Sequence, residues 1–161
     1  MITVRSAKES DVERIAQIEG ICFPAAEAAG LEQFRERFHA FPENFYVAED
    51  AGEVIGFING ACTDTPSLPD EMYASAALHR KNGAYQTLFG LDVLPEYRRQ
   101  GAAAKLLQTL LDAAKARGCI GAVLTCKDPM RHYYERFGFV YQGVSASTHG
   151  GAKWNDMLLI F

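Results

Sequence analysis

The chain lacks the residue spacings of a metal centre or a disulfide framework. Its four cysteines lie far apart without a C-x-x-C pair, and its four histidines share no ligand spacing. No apolar run approaches the roughly 20 residues that span a bilayer. There is also no internal repeat or low-complexity tract. These absences predict free thiols, no metal and no membrane association.

The charge balance excludes a second group of functions. The net charge is −4, so no extended basic surface for nucleic acid is expected. The first residues already alternate like a strand and do not resemble a signal peptide. We therefore expect a cytoplasmic protein, and 161 residues are enough for one domain with its own core.

One stretch carries most of the information, from Leu88 to Arg117. It begins with the alternation of a strand that ends before Pro95 and continues through a short basic turn. A strongly periodic helical run follows, and Gly118 ends it. Strand, turn and helix thus succeed one another within 30 residues.

The turn of this stretch has the features of an anion site. The first amides of a helix have no internal partner and carry a partial positive charge. Gly101, Ala102 and Ala103 add little bulk around them, and Arg98 and Arg99 add charge. These features suit a diphosphate, although they are also common in ordinary α/β proteins.

Two motifs give the turn a more specific meaning. The residues Arg98-x-x-Gly101-x-Ala103 match the R/Q-x-x-G-x-G/A signature of the GCN5-related N-acetyltransferases (GNATs), and the run 133–139, YYERFGF, resembles their tyrosine-bearing helix. The segments 22–28 and 78–80 resemble the serotonin (arylalkylamine) N-acetyltransferase branch and its bacterial relatives. The resemblance covers nearly the whole chain.

The resemblance implies an α+β fold, with a mixed, mostly antiparallel sheet flanked by helices. It implies acetyl-CoA as co-substrate and transfer of acetyl to an amine. Tyr134 matches the tyrosine that contacts the cofactor and protonates the CoA thiolate. The implied cofactor-binding residues are Leu91, Asp92 and Val93 for the pantetheine arm, and Arg98, Arg99, Gln100, Gly101, Ala102, Ala103 and Ala104 for the pyrophosphate.

The general base is where the sequence departs from the serotonin branch. The histidine pair of that branch is replaced by Thr87 and Phe89, and neither side chain accepts a proton usefully. His79 is the candidate we place in the catalytic set. The other candidates, Asp92, His132, Glu71 and a water relayed to a backbone carbonyl, stay open.

These expectations predict an acetyltransferase of a small primary amine, with a peptide acceptor or a non-catalytic CoA sensor as alternatives. The chain is expected to be a monomer or a homodimer. We expect a substrate pocket of aromatic side chains and an ammonium held by loop acids, which are Phe23, Phe41, Tyr73 and Phe89, with Asp64, Asp70 and Glu71. A helix is expected over 26–40, delayed or bent by Gly30, with an inward stripe of Leu31, Phe34, Arg35 and Phe38.

Overall fold

The computed structural model describes all residues, 1–161, as an α+β fold. The five helices are α1 Val12–Cys22, α2 Leu31–Ala40, α3 Asp70–Ala74, α4 Ala102–Ala116 and α5 Arg131–Glu135. The nine strands are β1 Ile2–Ser6, β2 Phe45–Asp50, β3 Glu53–Asn59, β4 Cys62–Thr63, β5 Tyr85–Leu88, β6 Gly90–Val93, β7 Gly121–Cys126, β8 Val140–Val144 and β9 Asn155–Ile160. No helix combines the length and the apolar character needed to cross a membrane.

The strands form two sheets rather than one continuous sheet. The first has the order β1-β2-β3-β6 and the second the order β4-β5-β7-β9-β8. Every pairing is antiparallel except that of β5 with β7, which is parallel. The mixed, mostly antiparallel architecture expected from the sequence is therefore confirmed.

The central strand expected from the sequence is divided between these two sheets. Its first part, β5, pairs with β4 and β7, whereas β6 pairs with β3 alone. Only Phe89 separates β5 from β6. As a result β6 is an edge strand, and a cleft opens between it and β7.

The segment that runs from β3 into β4 breaks at the same level. Gly60 lies against the backbone of Thr87, so closely that a Cβ at position 60 would lie 1.8 Å from the Thr87 carbonyl oxygen. Ala61 then accepts hydrogen bonds from the amide and the hydroxyl of Thr87, at 2.8 and 2.7 Å. The segment from β3 to β4 and the segment from β5 to β6 thus pass between the two sheets at the same level.

Helices cover both faces of the first sheet. β3 is buried at every position except Glu53, as expected for a strand covered on both sides. On one face α4 packs its apolar stripe, in which Leu106, Leu107 and Leu110 are fully buried. On the other face lie α1 and α2, with Phe34 of α2 in edge contact with Phe57 at 5.5 Å.

The helix α2 begins at Leu31, later than the start at residue 26 that its pattern suggested. Gly30 is the N-cap with extended backbone, and its amide donates to the Gln33 side chain at 3.1 Å. The late start anticipated at this glycine is thus observed. It leaves residues 23–30 as a loop beside the cleft.

The contact at Gly60 generates a paired prediction for stability. We expect Gly60→Ala to destabilise the fold by about 3 kcal/mol or more, because the added methyl overlaps a backbone oxygen that cannot move independently. Gly20→Ala, in α1 where no atom lies within 4 Å of the added Cβ, should stabilise by about 0.5–1 kcal/mol. Urea denaturation measures both. Equal effects of the two variants would contradict the role of Gly60.

Candidate active site

The free edge of β6 forms one wall of the cleft. Asp92 lies opposite Phe57, and the Leu94 amide donates to Ile55 at 2.9 Å. In an antiparallel pair hydrogen-bonded residues alternate, so the backbone groups of Leu91 and Val93 point away from β3. These two residues lie where the sequence placed the pantetheine arm. The backbone of Asp92, expected to share this task, is instead turned towards β3.

The turn that follows β6 leads into the N-terminus of α4. Arg99 and Gly101 adopt positive φ values of 63° and 85°, which reverse the chain before the helix. The first intrahelical bond runs from Lys105 to Gly101 at 3.1 Å. The amides of residues 102–104 therefore have no helical acceptor, and only small side chains surround them. This geometry fits a diphosphate, the group that acetyl-CoA would present there.

Arg98 has a different position from the rest of this turn. Its Nε donates to the Val93 carbonyl at 3.0 Å, and its Nη2 lies 3.7 Å from the Cys22 sulfur. The side chain thus folds back onto the edge of β6 and holds the turn against the strand. Arg99 and Gln100 are exposed to solvent at the rim.

A cavity of about 450 Å³ continues from the cleft into the protein. Its walls are the free edge of β6, the end of β7, α5 and the inner faces of α1 and α2. The residues that bear on its chemistry share this lining and are Glu19, Cys22, Phe23, Glu27, Arg37, Tyr73, Phe89, Asp92, Arg98, Ala103, Thr125, Lys127, Tyr133, Tyr134, His149 and Trp154.

Three loops close the cavity on the side away from the turn. Lys127 forms an ion pair with Glu27 at 2.7 Å, which joins the loop after β7 to the loop after α1. The His149 ring stacks on Tyr73 and its Nε2 lies 2.8 Å from the Glu27 carbonyl. Asp70 accepts a hydrogen bond from the Thr148 amide at 3.1 Å. The loop before β9 is therefore held at Thr148 and His149 by residues of α3 and of the loop after α1.

Two carboxyl groups meet inside the cavity. Asp92 is 1% exposed and neither of its carboxyl oxygens has a hydrogen-bond donor. Glu19, on α1, is 8% exposed and accepts from the Ala29 amide at 2.9 Å. Burial, followed by the neighbouring Glu19, raises the pKa of Asp92 well above its usual value. With no donor from the protein and a second acid nearby, Asp92 is favoured to hold a proton.

Tyr134 also reaches the cavity. The residue is largely buried, and burial raises the pKa of its hydroxyl, followed by the nearby Cys126 and other ionisable groups. The hydroxyl therefore stays protonated at neutral pH and is available as a donor. The Tyr133 hydroxyl is fully enclosed without a partner. The two rings meet edge to face at 5.4 Å.

The structure does not bring His79 to the cavity. Its Nδ1 accepts the Cys62 amide at 3.0 Å and its ring packs against Phe41 at 5.0 Å. The expectation that His79 acts as base is corrected accordingly, because its accepting nitrogen already serves the backbone. His132 and Glu71 are exposed and do not line the cavity either.

The expected substrate pocket is only partly found. Phe23, Tyr73 and Phe89 line the cavity, whereas Phe41 is fully buried in the core. The loop acids Asp64, Asp70 and Glu71 are absent from the lining. Asp70 instead holds the loop that closes the cavity.

The sequence analysis missed four charged residues of the lining, which are Glu19, Glu27, Arg37 and Lys127. Arg37 is buried, whereas Arg35, which the helical pattern had placed inward, pairs with Glu32 on the surface. The signal was present, because Arg37 shares a helix face with Phe34 and Phe41. Glu19 likewise follows Ile15 by four residues. A charge on an apolar stripe marks either a paired core ion or a site.

Comparison with known proteins gives this geometry its context. The family model described as acetyltransferase (GNAT) family matches residues 12–139. The chain belongs to the GNAT acetyltransferase family. Serotonin N-acetyltransferase of Mesocricetus auratus is 29% identical over 153 residues, covering 94% of this chain and 70% of the relative. The resemblance seen in the motifs is thereby confirmed, and with it an N-acetyltransferase function.

Solved GNAT structures share the fold at low identity. The loading GNATL domain of CurA from Lyngbya majuscula has a TM-score of 0.85 at 16% identity, covering 99% of this chain and 98% of that one. The GphF GNAT-like decarboxylase, solved with isobutyryl-CoA, has a TM-score of 0.81 at 20% identity, covering 98% of each chain. GNAT neighbours of this chain thus include one solved with an acyl-CoA.

The free amides of α4 generate a prediction for CoA binding by this acetyltransferase. We expect Ala103→Glu to weaken CoA binding by at least about tenfold, because a carboxylate would face the diphosphate among those amides. Gln108→Glu is the control, since it adds the same charge on an exposed part of the same helix. Calorimetric titration with CoA measures both. Equal affinities in the two variants would remove the α4 N-terminus from the CoA site.

The buried carboxyl generates a prediction for the pH dependence of stability. A raised pKa means that folded GNAT protein binds a proton at Asp92 that the unfolded chain releases above about pH 4. Stability from this group is therefore lost as the pH rises from about 4 through the raised pKa. Asp92→Asn should remove this loss. The free energy of unfolding of the variant should therefore increase relative to that of the native protein as the pH rises.

Denaturant titrations between pH 4 and 8 measure this difference. The control is Asp112→Asn, an exposed carboxyl on α4 that folding does not desolvate. If Asp92→Asn and the native protein lost stability in parallel, Asp92 would be ionised without cost in the fold.

Proposed function

We propose that this GNAT protein transfers acetyl from acetyl-CoA to the primary amine of a small molecule. One observation carries the restriction to small acceptors, which is the closure of the cavity by three mutually bonded loops. The ion pair of Lys127 with Glu27 and the contact of His149 with the Glu27 carbonyl join loops that line the cavity. A polypeptide acceptor needs an open groove for the residues beyond its reactive amine, and loops bonded to one another beside the cavity leave less room for such a chain.

The carboxyl pair supplies what an amine acceptor needs. A primary alkyl amine has a pKa near 10 and arrives as an ammonium ion. The buried pair of Glu19 and Asp92 holds one proton in the free protein, so one carboxylate remains to attract that cation into the cavity. The same carboxylate accepts the proton that the ammonium must lose before it can attack.

The free edge of β6 and Tyr134 serve the acyl donor. The Leu91 and Val93 amides hold the arm of the thioester as an added strand would be held. The Tyr134 hydroxyl donates to sulfur as the C–S bond breaks and the amide forms. The ammonium loses its first proton to the Glu19–Asp92 pair before it attacks the thioester carbonyl. The nitrogen loses a second proton as the amide forms, and this proton replaces the one that Tyr134 gave to sulfur, so CoA leaves as the thiol and charge balances over the transfer.

An acceptor screen tests the proposal. Thiol release from acetyl-CoA is followed with a panel of small primary amines and with peptides bearing a free N-terminus or a lysine. Release with small amines and none with peptides is expected. Faster release with peptides would favour the protein-acetyltransferase alternative. CoA binding without release on any acceptor would favour a sensor.

The same assay tests Tyr134. Tyr134→Phe removes one oxygen, so CoA affinity should change little while kcat falls by roughly 10- to 1,000-fold, the scale of general acid catalysis. The loss should be in kcat more than in KM, because the donated proton matters mainly in the transition state. Tyr133→Phe is the matched control and should be nearly silent. Full kcat in Tyr134→Phe would reduce Tyr134 to a packing residue.

A further inference from the structure

Arg37 is a buried cation without a counter-ion. The residue is 5% exposed, and it lines the cavity from α2. Its single hydrogen bond runs from Nη2 to the Tyr73 carbonyl at 2.9 Å. Its Nε is buried with no partner, and no carboxylate lies within ion-pair distance. A guanidinium carries five N–H donors and stays charged, so most of its capacity is unused.

Other partly buried cations of the protein form ion pairs. Arg5 bonds to both Asp11 and Glu49, and Lys127 pairs with Glu27. Leaving a buried charge unpaired costs several kcal/mol, so an exception needs a compensating partner. Arg37 receives only cation–π contacts, 4.8 Å from the Phe89 centroid and 5.4 Å from the Phe34 centroid. These contacts hold the side chain in place without neutralising it.

The surroundings of Arg37 indicate which kind of ligand would pair with its charge. Burial lowers the pKa of the guanidinium, and Glu19 is the first of the acids that oppose this effect. Glu19 also acts on Asp92, so it is close enough to influence both the cation and the acid pair. The cavity thus presents a positive group and a negative group towards one enclosed space. A small molecule with an ammonium at one end and a carboxylate at the other matches both.

We propose that Arg37 binds a substrate carboxylate, and that the acceptor of this enzyme is an amino carboxylate rather than a simple amine. A planar guanidinium with free N–H groups suits a carboxylate bidentately, and its fixed position on α2 favours one orientation of the acceptor. The ammonium then lies at the acid pair, where the amine loses its proton. A carboxylate could also be carried by the acyl group of the donor thioester, which has the same chemistry.

This inference rests on the proposed acetylation of small amines and refines it. Its test uses matched acceptors that differ only in a carboxylate, which are alanine and ethylamine, leucine and isopentylamine, and phenylalanine and phenethylamine. For the native protein, kcat/KM should favour the amino acid in at least one pair. In Arg37→Met that preference should fall by roughly 30-fold or more, the effect of removing one partner from a buried charge pair. The activity with the simple amine should change by less than about threefold.

Arg35→Met is the matched control, because it makes the same change on the exposed face of the same helix. Arg37→Lys separates charge from geometry and should restore only part of the preference, since an ammonium lacks the planar fork. Circular dichroism and thermal denaturation confirm that each variant is folded. Equal losses for the amine and the amino acid would overturn the assignment, because a structural role affects both alike.

A binding measurement separates failure of this inference from failure of the proposed function. Calorimetric titration with 3-phenylpropionate, a carboxylate without an amine, should show binding to the native protein in the presence of CoA and none to Arg37→Met. This result needs no turnover, so it stands even if no acceptor in the panel is acetylated. Absence of binding to the native protein would count against a carboxylate site.

A third arm identifies the source of the carboxylate. Affinities for succinyl-CoA, malonyl-CoA and acetyl-CoA are compared between the native protein and Arg37→Met. The proposal expects the variant to lose no selectivity among these donors. A selective loss for the donors with a free carboxylate would overturn the amino-carboxylate assignment and place the group on the acyl side.

Discussion

The active site depends on one missing set of hydrogen bonds, those that β6 and β7 do not make with each other. β6 is bonded to β3 and β7 is bonded to β5, so the two strands separate after Leu88. An edge strand with free backbone groups normally invites pairing with another chain. Here α1, α2 and the loops around the cleft cover that edge, which protects it from pairing with another molecule and still leaves room for a ligand. An extended substrate arm is the strand-like partner this edge can accept.

The separation of the strands also determines which side chains face the cleft. Asp92 pairs with Phe57, and paired residues of neighbouring strands point to the same face of the sheet. The Phe57 ring contacts Phe34 of α2, so the Asp92 side chain lies on the face covered by α1 and α2, near Glu19. Phe89, at the step between the two sheets, carries the ring on which Arg37 rests. The positions of the charged and aromatic side chains in the cleft therefore follow from the break in the sheet. In the proposed mechanism the Glu19–Asp92 pair takes the place of the histidine pair of the serotonin branch as proton acceptor.

The electrostatics of the cavity are unusual for its apolar walls. A raised carboxyl pKa at Asp92 and an unpaired guanidinium at Arg37 both carry an energetic penalty in the free protein. Such penalties to folding are tolerated at a binding site, because a ligand that relieves them binds with a correspondingly more favourable free energy. The loop that closes the cavity adds to this effect by limiting the access of water, which strengthens charge interactions within it.

The sequence by itself determined the features that are local in the chain. The turn 98–104, the helix that follows it and the late start of α2 at Gly30 all depend on residues within a few positions of one another. The family and the fold followed from such segments. The hairpin between β2 and β3 is local in the same sense, since Gly52 in its turn adopts a φ of 80°.

Tertiary structure alone decided which charged residues enter the site. Helical periodicity shows that Glu19 and Arg37 share a face with apolar neighbours, but it does not say whether that face meets the core or a cavity. His79 was close to the substrate side by resemblance, and yet its ring nitrogen serves the Cys62 amide. The reason is physical: the role of a side chain depends on which backbone and charged groups the packing places beside it. These groups are distant in the chain, 17 residues between His79 and Cys62 and 36 between Arg37 and Tyr73.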